Sequence, residues 1–230
     1  MNRQIASGTL RDERVFQVER LTMEDLPQII QLQSKVKNML TSSDFLSPLS
    51  EEEYTSILTG NGFMVGVFVE GKMIAFRAML KPELDEEHLG IDAGLSQEDL
   101  PQVIYSEISN VDPDYRGNGL QNYMGKLVMK EIDRHQFRYV CATVAPMNIP
   151  SIKDKFSLGL QIIALKEKYT GMLRYVFFKD LSASLMDNVY AEEHFVHIKE
   201  IEEQQTLIQS GFLGTGIKEY DGEWYIQYCK

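Results

Sequence analysis

The stretch VDPDYRGNGLQNYMGKLVMKEI, residues 111–132, sets an arginine and two glycines directly before an amphipathic helix. Leu120, Tyr123, Met124, Leu127, Val128 and Ile132 recur at the spacing of one helix face. The start of a helix exposes N–H groups that have no carbonyl one turn back, together with the positive end of the helix dipole. Gly117 and Gly119 leave room for an anion to approach those groups, and Arg116 adds a fixed positive charge. Residues 116–122 therefore read as a candidate pyrophosphate cradle. They are not a P-loop, because Gly119 is followed by Leu120 and Gln121 instead of Lys and Ser or Thr. They are not a dinucleotide fingerprint either: residues 112–115 separate them from the preceding strand, and Asn122 takes the third glycine position.

Outward from this stretch, apolar periodicity places strands at 15–20, 63–69, 73–80, 102–111, 138–144, 161–168 and 172–179. Residues 1–13 read as an extra strand or a loose arm. Thr22 precedes a helix whose apolar stripe is Leu26, Ile29, Ile30, Val36 and Leu40. Ser50-Glu51-Glu52-Glu53 has the spacing of a capping box and opens a second helix. Residues 81–100 are an acidic connection, too long for a simple hairpin loop. Asn148 caps a helix with Pro150 in its first turn, where a missing N–H costs nothing. Tyr169-Thr170-Gly171 and Asp221-Gly222 read as hairpin turns. Strands and helices are interleaved, with hairpins at both ends, so the expected class is an α/β or α+β sheet with helices on its faces. The strand–helix–strand unit in the middle should be parallel. Texture changes after Asp180, and a boundary there divides residues 1–180 from a small α+β helix–hairpin extension, 181–230.

The chain has 230 residues and a net charge of -11, which opposes binding to nucleic acid or to an anionic membrane surface. No apolar run approaches the roughly 18 residues of a membrane span. The four histidines share no ligand spacing with a cysteine, so no metal is expected. Cys141 and Cys229 are far apart and read as reduced thiols. With no apolar signal segment in MNRQIASGTLRDER, the expected location is the cytoplasm.

Val111-Asp112-Pro113-Asp114-Tyr115-Arg116-Gly117-Asn118-Gly119 resembles the cofactor motif of the GNAT N-acetyltransferase superfamily, Val-x-Pro-x-Tyr-Arg followed by Gly-x-Gly. The last motif position is Gln121, where the family carries Gly or Ala. Residues 21–26 resemble the family's opening strand-to-helix junction, 65–77 its second and third strands, and Asn148-x-x-Ser151 with Gly159 its Asn-x-x-Ser…Gly segment. The resemblance covers about residues 14–180. It implies a GNAT-type mixed central sheet of about seven strands flanked by helices, an N-acetyltransferase activity, and acetyl-CoA as cofactor. The pyrophosphate would lie on the N–H groups of Gly117, Asn118, Gly119, Leu120, Gln121 and Asn122, with Arg116 adding its charge. The pantetheine arm would pair with the backbone of Ser109, Asn110 and Val111, and Asn148 would touch the cofactor from the next helix.

The reaction so implied is direct attack of an amine on the thioester, which requires the amine to be neutral. Glu107, on the cofactor strand, is the base candidate. A structural hydrogen-bonding carboxylate is the alternative reading of it. The family's usual Tyr acid is absent, since Lys155 holds that position; Tyr169 and Tyr105 are substitutes, and solvent can also protonate a thiolate. The partner would be a small-molecule or peptide amine. A homodimer is left open, because the C-terminal strands can either close the acceptor site or make a dimer. An acyl-CoA-binding regulatory or scaffold module without turnover is the alternative to an enzyme.

Overall fold

The computed structural model describes residues 3–39, 48–169, 171–183 and 190–230. Leu40 of the first helix stripe and Thr170 of the turn lie outside the described residues. The chain separates into two compact units, the first of residues 1–81 and 106–132, the second of 82–105 and 133–230.

The first unit contains β1 (Gln4–Thr9), β2 (Val15–Arg20), β3 (Gly62–Val69), β4 (Lys72–Leu80) and most of β5 (Val103–Val111), in that spatial order. Pairing is antiparallel from β1 through β4. The helices are α1 (Leu26–Asn38), α2 (Glu51–Leu58) and α4 (Leu120–Glu131). Ser50 and Glu53 exchange the two bonds expected of a capping box: the Glu53 N–H donates to Ser50 Oγ at 3.2 Å, and the Ser50 N–H to Glu53 Oε2 at 2.7 Å. The apolar stripe of α1, with Ile29 and Leu32, packs with Tyr54 and Ile57 of α2 on Met64, Phe76 and Ile108 of the strands. Gln33 joins the two helices, since its Oε1 accepts from the Tyr54 hydroxyl and the Leu49 N–H, and its Nε2 donates to the Leu49 carbonyl. Helix α4 buries Leu120, Met124 and Val128 and packs against β3 and β4. Each such side chain contributes about 1.5–3 kcal/mol of transfer free energy.

The second unit contains the start of β5, then β6 (Tyr139–Val144), β7 (Gln161–Lys168), β8 (Met172–Asp180), β9 (Glu193–His197), β10 (Leu213–Tyr220) and β11 (Glu223–Cys229). Its strand order is β5-β6-β8-β7-β10-β11-β9. The expected parallel pairing is found: Val103, Ile104 and Tyr105 of β5 oppose Tyr139, Val140 and Cys141 of β6. Helix α3 (Leu89–Asp92) lies inside the 81–100 connection, and α5 (Ile149–Ser157) and α6 (Ile201–Gln209) complete the unit. Gln204 of α6 is fully buried, and its Oε1 accepts from the hydroxyls of Tyr175 on β8 and Tyr228 on β11.

The mixed α/β class stands, but among the described residues the strands number eleven instead of about seven. Two additions account for the difference. Residues 4–9 form a hairpin strand on β2. The C-terminal strands continue the ladder from β7, where Gly214 opposes Ile162. A Cβ on Gly214 would lie 2.8 Å from Ile162 Cβ, so the contact needs a glycine. An open sheet edge recruits further strands because its backbone groups are otherwise unpaired.

Candidate functional site

In the first unit, β5 delivers the chain to the glycine-rich turn, and burial alternates along its last residues. Glu107, Ser109 and Val111 are half-buried, while Ser106, Ile108 and Asn110 are buried. Asn110 is 1% exposed, and neither atom of its amide finds a hydrogen-bond partner among the described residues. The Glu107 carboxylate is close enough to Tyr54 for its charge, with that of Glu53, to help raise the phenol's pKa; burial is the larger cause.

Asp112 fixes the turn. Its N–H donates to the Ile74 carbonyl at 2.8 Å. Its Oδ1 accepts from the Asp114 N–H at 3.0 Å and from Lys35 Nζ at 2.6 Å. Burial opposes ionisation of this carboxyl, yet Lys35, the Asp114 N–H and Lys72 together hold its pKa below the usual carboxylate value. A 3-10 turn, Pro113–Tyr115, follows. Gly117 and Gly119 then take positive φ values of 80° and 72°. Gly119 is the N-cap of α4, and the first intrahelical bond runs from the Tyr123 N–H to its carbonyl. It has no side chain to cap the first turn, and a Cβ built on it would meet nothing within 4 Å. The helix start therefore faces open space, as an anion cradle requires.

Two features of this corner were not read from the sequence. Arg77 of β4 is fully buried. It donates through Nη2 to Ser106 Oγ at 2.8 Å and through Nη1 to the Gln121 carbonyl at 3.3 Å. It thus ties the strand before Glu107 to the first turn of α4. The signal was present, since a lone cation interrupts the apolar run MIAFRAML. The second feature is the β1–β2 hairpin. The Arg11 N–H donates to Asn118 Oδ1 at 3.0 Å, Arg14 Nη1 to the Tyr115 hydroxyl at 3.2 Å, and the Tyr123 hydroxyl to the Ser7 carbonyl at 2.9 Å. No local sequence pattern announces these contacts, which join residues about a hundred positions apart.

In the second unit, Asn148 caps α5 as expected, its Oδ1 accepting from the Ser151 N–H at 3.2 Å. Lys155, at the position of the family's Tyr, is buried beside Asp154. Tyr169 sits in a turn at φ 51°, its hydroxyl 3.4 Å from Thr143 Oγ1. Tyr105 is buried; its hydroxyl accepts from the Leu89 N–H at 2.6 Å, and burial pushes its pKa up. Cys141, on the last rung of the β5–β6 pairing, is a free buried thiol whose pKa is also raised by burial. His88 is 1% exposed. Its Nδ1 accepts from the Gly90 N–H at 3.1 Å, which leaves the proton of the neutral ring on Nε2, where no described residue accepts it. Among the described residues, no group of three His, Cys, Asp or Glu is placed to hold a metal. Among these residues, no helix is long and apolar enough to cross a membrane.

No family model matches the sequence, and no curated protein matches it. Solved structures do. The GNAT domain of PAT from S. lividans is 18% identical with a TM-score of 0.56, the match covering 76% of this chain and 96% of that one. The ribosomal-protein-S18-alanine N-acetyltransferase from Escherichia coli is 17% identical with a TM-score of 0.55, covering 76% and 99%. YncA from Salmonella typhimurium, described as a putative acetyltransferase with its cofactor acetyl-CoA, is 12% identical with a TM-score of 0.56, covering 76% and 98%. The chain thus has the fold of GNAT N-acetyltransferase domains.

Proposed function

We propose that the protein is an acetyl-CoA-dependent N-acyltransferase acting on a primary amine. The observation that carries this reading is Gly119: a left-handed N-cap glycine, open to solvent, at the head of α4 in a GNAT fold. The N–H groups along Gly117, Asn118, Gly119, Leu120, Gln121 and Asn122 would hold the pyrophosphate, and the Arg116 guanidinium would add charge to it. The backbone of Ser109, Asn110 and Val111 would pair with the pantetheine arm. Asn148 would meet the cofactor from α5, whose first turn it caps. When bound, acetyl-CoA supplies an activated carbonyl and a thiolate leaving group.

Glu107 is half-buried on the strand that would carry that arm. It would take a proton from the acceptor ammonium, directly or through water, freeing the lone pair that attacks the carbonyl carbon. Tyr169, exposed and beside Thr143, would donate to the departing sulfur, and solvent would serve in its absence. Tyr105 is the poorer candidate, since its hydroxyl is buried against the Leu89 N–H. Residues 1–180 would carry the transferase and 181–230 would be an appended α+β segment that shapes the acceptor site or a homodimer contact. The acidic chain and its two buried free thiols suit a cytoplasmic protein acting on a small-molecule or peptide amine.

Calorimetric titration with acetyl-CoA, paired with thiol release over a panel of amines, tests the reading. Binding with release on one amine or more is expected. Binding without release on any would instead favour a regulatory acyl-CoA-binding module. No binding at all would end both.

A further inference from the structure

Residues 1–13, read as an extra strand or a loose arm, supply the extra strand β1, and the hairpin tip that follows it, residues 10–14, rests on the turn that forms the proposed cradle. Its attachment is specific. The Arg11 N–H is held by Asn118 Oδ1. Arg14 is hydrogen-bonded to Tyr115 and lies over its ring, 5.0 Å from the centroid. Phe16 meets Tyr123 edge to face, with centroids 5.2 Å apart. The guanidinium of Arg11 reaches the first of the two glycines, since a Cβ on Gly117 would lie 3.8 Å from its Nη1.

The charges of this corner are unevenly matched. Asp12 is paired with Arg14 at 2.6 Å, Asp114 with Lys35 at 2.6 Å, and Asp112 with Lys35 and Lys72. Among the described residues, Arg11 and Arg116 have no ion-pair partner, and neither does Glu13 at the tip. In a chain of net charge -11, two unmatched guanidinium groups flank an open glycine turn. A guanidinium with its donors in a fixed fork is the group best suited to phosphate oxygens.

We propose that Arg11 is a specificity-determining residue of this site, binding a phosphate of the nucleotide end of the ligand and so selecting full-length acyl-CoA over its pantetheine fragment. The proposal rests on the cofactor reading above. Two phosphates can meet the same guanidinium, the 5′-pyrophosphate or the 3′-phosphate, and the ligand series separates them.

Wild type, Arg11→Gln and Arg11→Lys, all full length, are titrated with acetyl-CoA, 3′-dephospho-acetyl-CoA and S-acetylpantetheine. Arg11→Gln should weaken acetyl-CoA about fivefold at low salt, the size of an exposed charge pair. The loss should shrink at high salt. S-acetylpantetheine binding should not change, and Arg11→Lys should recover part of the affinity. A loss confined to acetyl-CoA assigns the 3′-phosphate; a loss shared with the dephospho form assigns the pyrophosphate. Unchanged acetyl-CoA affinity in Arg11→Gln overturns the proposal alone, as does an equal loss on S-acetylpantetheine, which would mark a structural effect. Failure of wild type to bind acetyl-CoA overturns the cofactor reading itself.

Discussion

Gly119 combines two demands at one position. Its φ of 72° belongs to the left-handed region, where an L side chain costs roughly 1–2 kcal/mol. Its missing Cβ leaves the head of α4 open. Gly119→Ala should therefore lower stability by about 1 kcal/mol in urea unfolding and weaken acetyl-CoA more than tenfold, a larger effect than the strain alone explains. If affinity falls no more than stability does, the cradle assignment loses its support. At Glu107, replacement by Gln should cut turnover near neutral pH while leaving the acetyl-CoA dissociation constant nearly unchanged. An unaltered pH–rate profile would reduce Glu107 to a structural carboxylate. Arg77→Met should be costly for folding, on the order of 3 kcal/mol, because it removes the hydrogen bonds that a fully buried guanidinium gives to Ser106 Oγ and the Gln121 carbonyl. A thermal melt within a degree of wild type would contradict this.

At the scale of elements, the sequence was most readable where chemistry is local. The Ser50–Glu53 box, Asn148 at the head of α5 and the Asp221-Gly222 turn with both residues at positive φ depend only on neighbours a few positions away. The glycine turn before α4 was legible for the same reason. What escaped was set by distant partners. Strand β9, EHFVH, alternates weakly in a polar context, and it forms because β11 offers it an edge. The hairpin tip on Asn118 has no local signature at all, and Arg77 showed only as a lone cation in the apolar run MIAFRAML. The 81–100 connection places His88 at the head of α3. Burial depresses the pKa of His88 and Lys168 adds to the effect, while Asp85 opposes it. The unfolded chain then binds a proton below about pH 6.5 that the folded chain resists. Stability should be full above that pH and should decline as pH falls through it. His88→Asn keeps an acceptor for the Gly90 N–H and cannot titrate, so its stability should be flatter between pH 7 and 5. The same slope in both proteins would exclude His88 as the source.

For the molecule as a whole, the C-terminal segment is bound into the second unit by more than strand pairing. Gln204 receives two buried tyrosine hydroxyls, one of them from Tyr175, upstream of the proposed boundary at 180. Removing residues 181–230 would leave the Tyr175 hydroxyl buried without its acceptor and uncover β7. The truncated chain should therefore melt well below the full-length one, and Gln204→Leu should reproduce part of that loss, about 1–3 kcal/mol for the stranded hydroxyls. A truncated chain as stable as the parent would instead mark 181–230 as energetically separate.

The chain passes between its two units three times, after Lys81, after Tyr105 and after Ile132. The second passage falls inside β5, two residues before Glu107. During synthesis, then, the four strands and two helices made first cannot complete their own core. Ile108 and the whole of α4 are still to be translated, and a detour of residues 82–105 belonging to the other unit comes between. The first unit can close only after Ile132 has cleared the ribosome. A nascent chain arrested soon after residue 81 should remain sensitive to protease, and protection should arise abruptly once residue 132 is outside the exit tunnel.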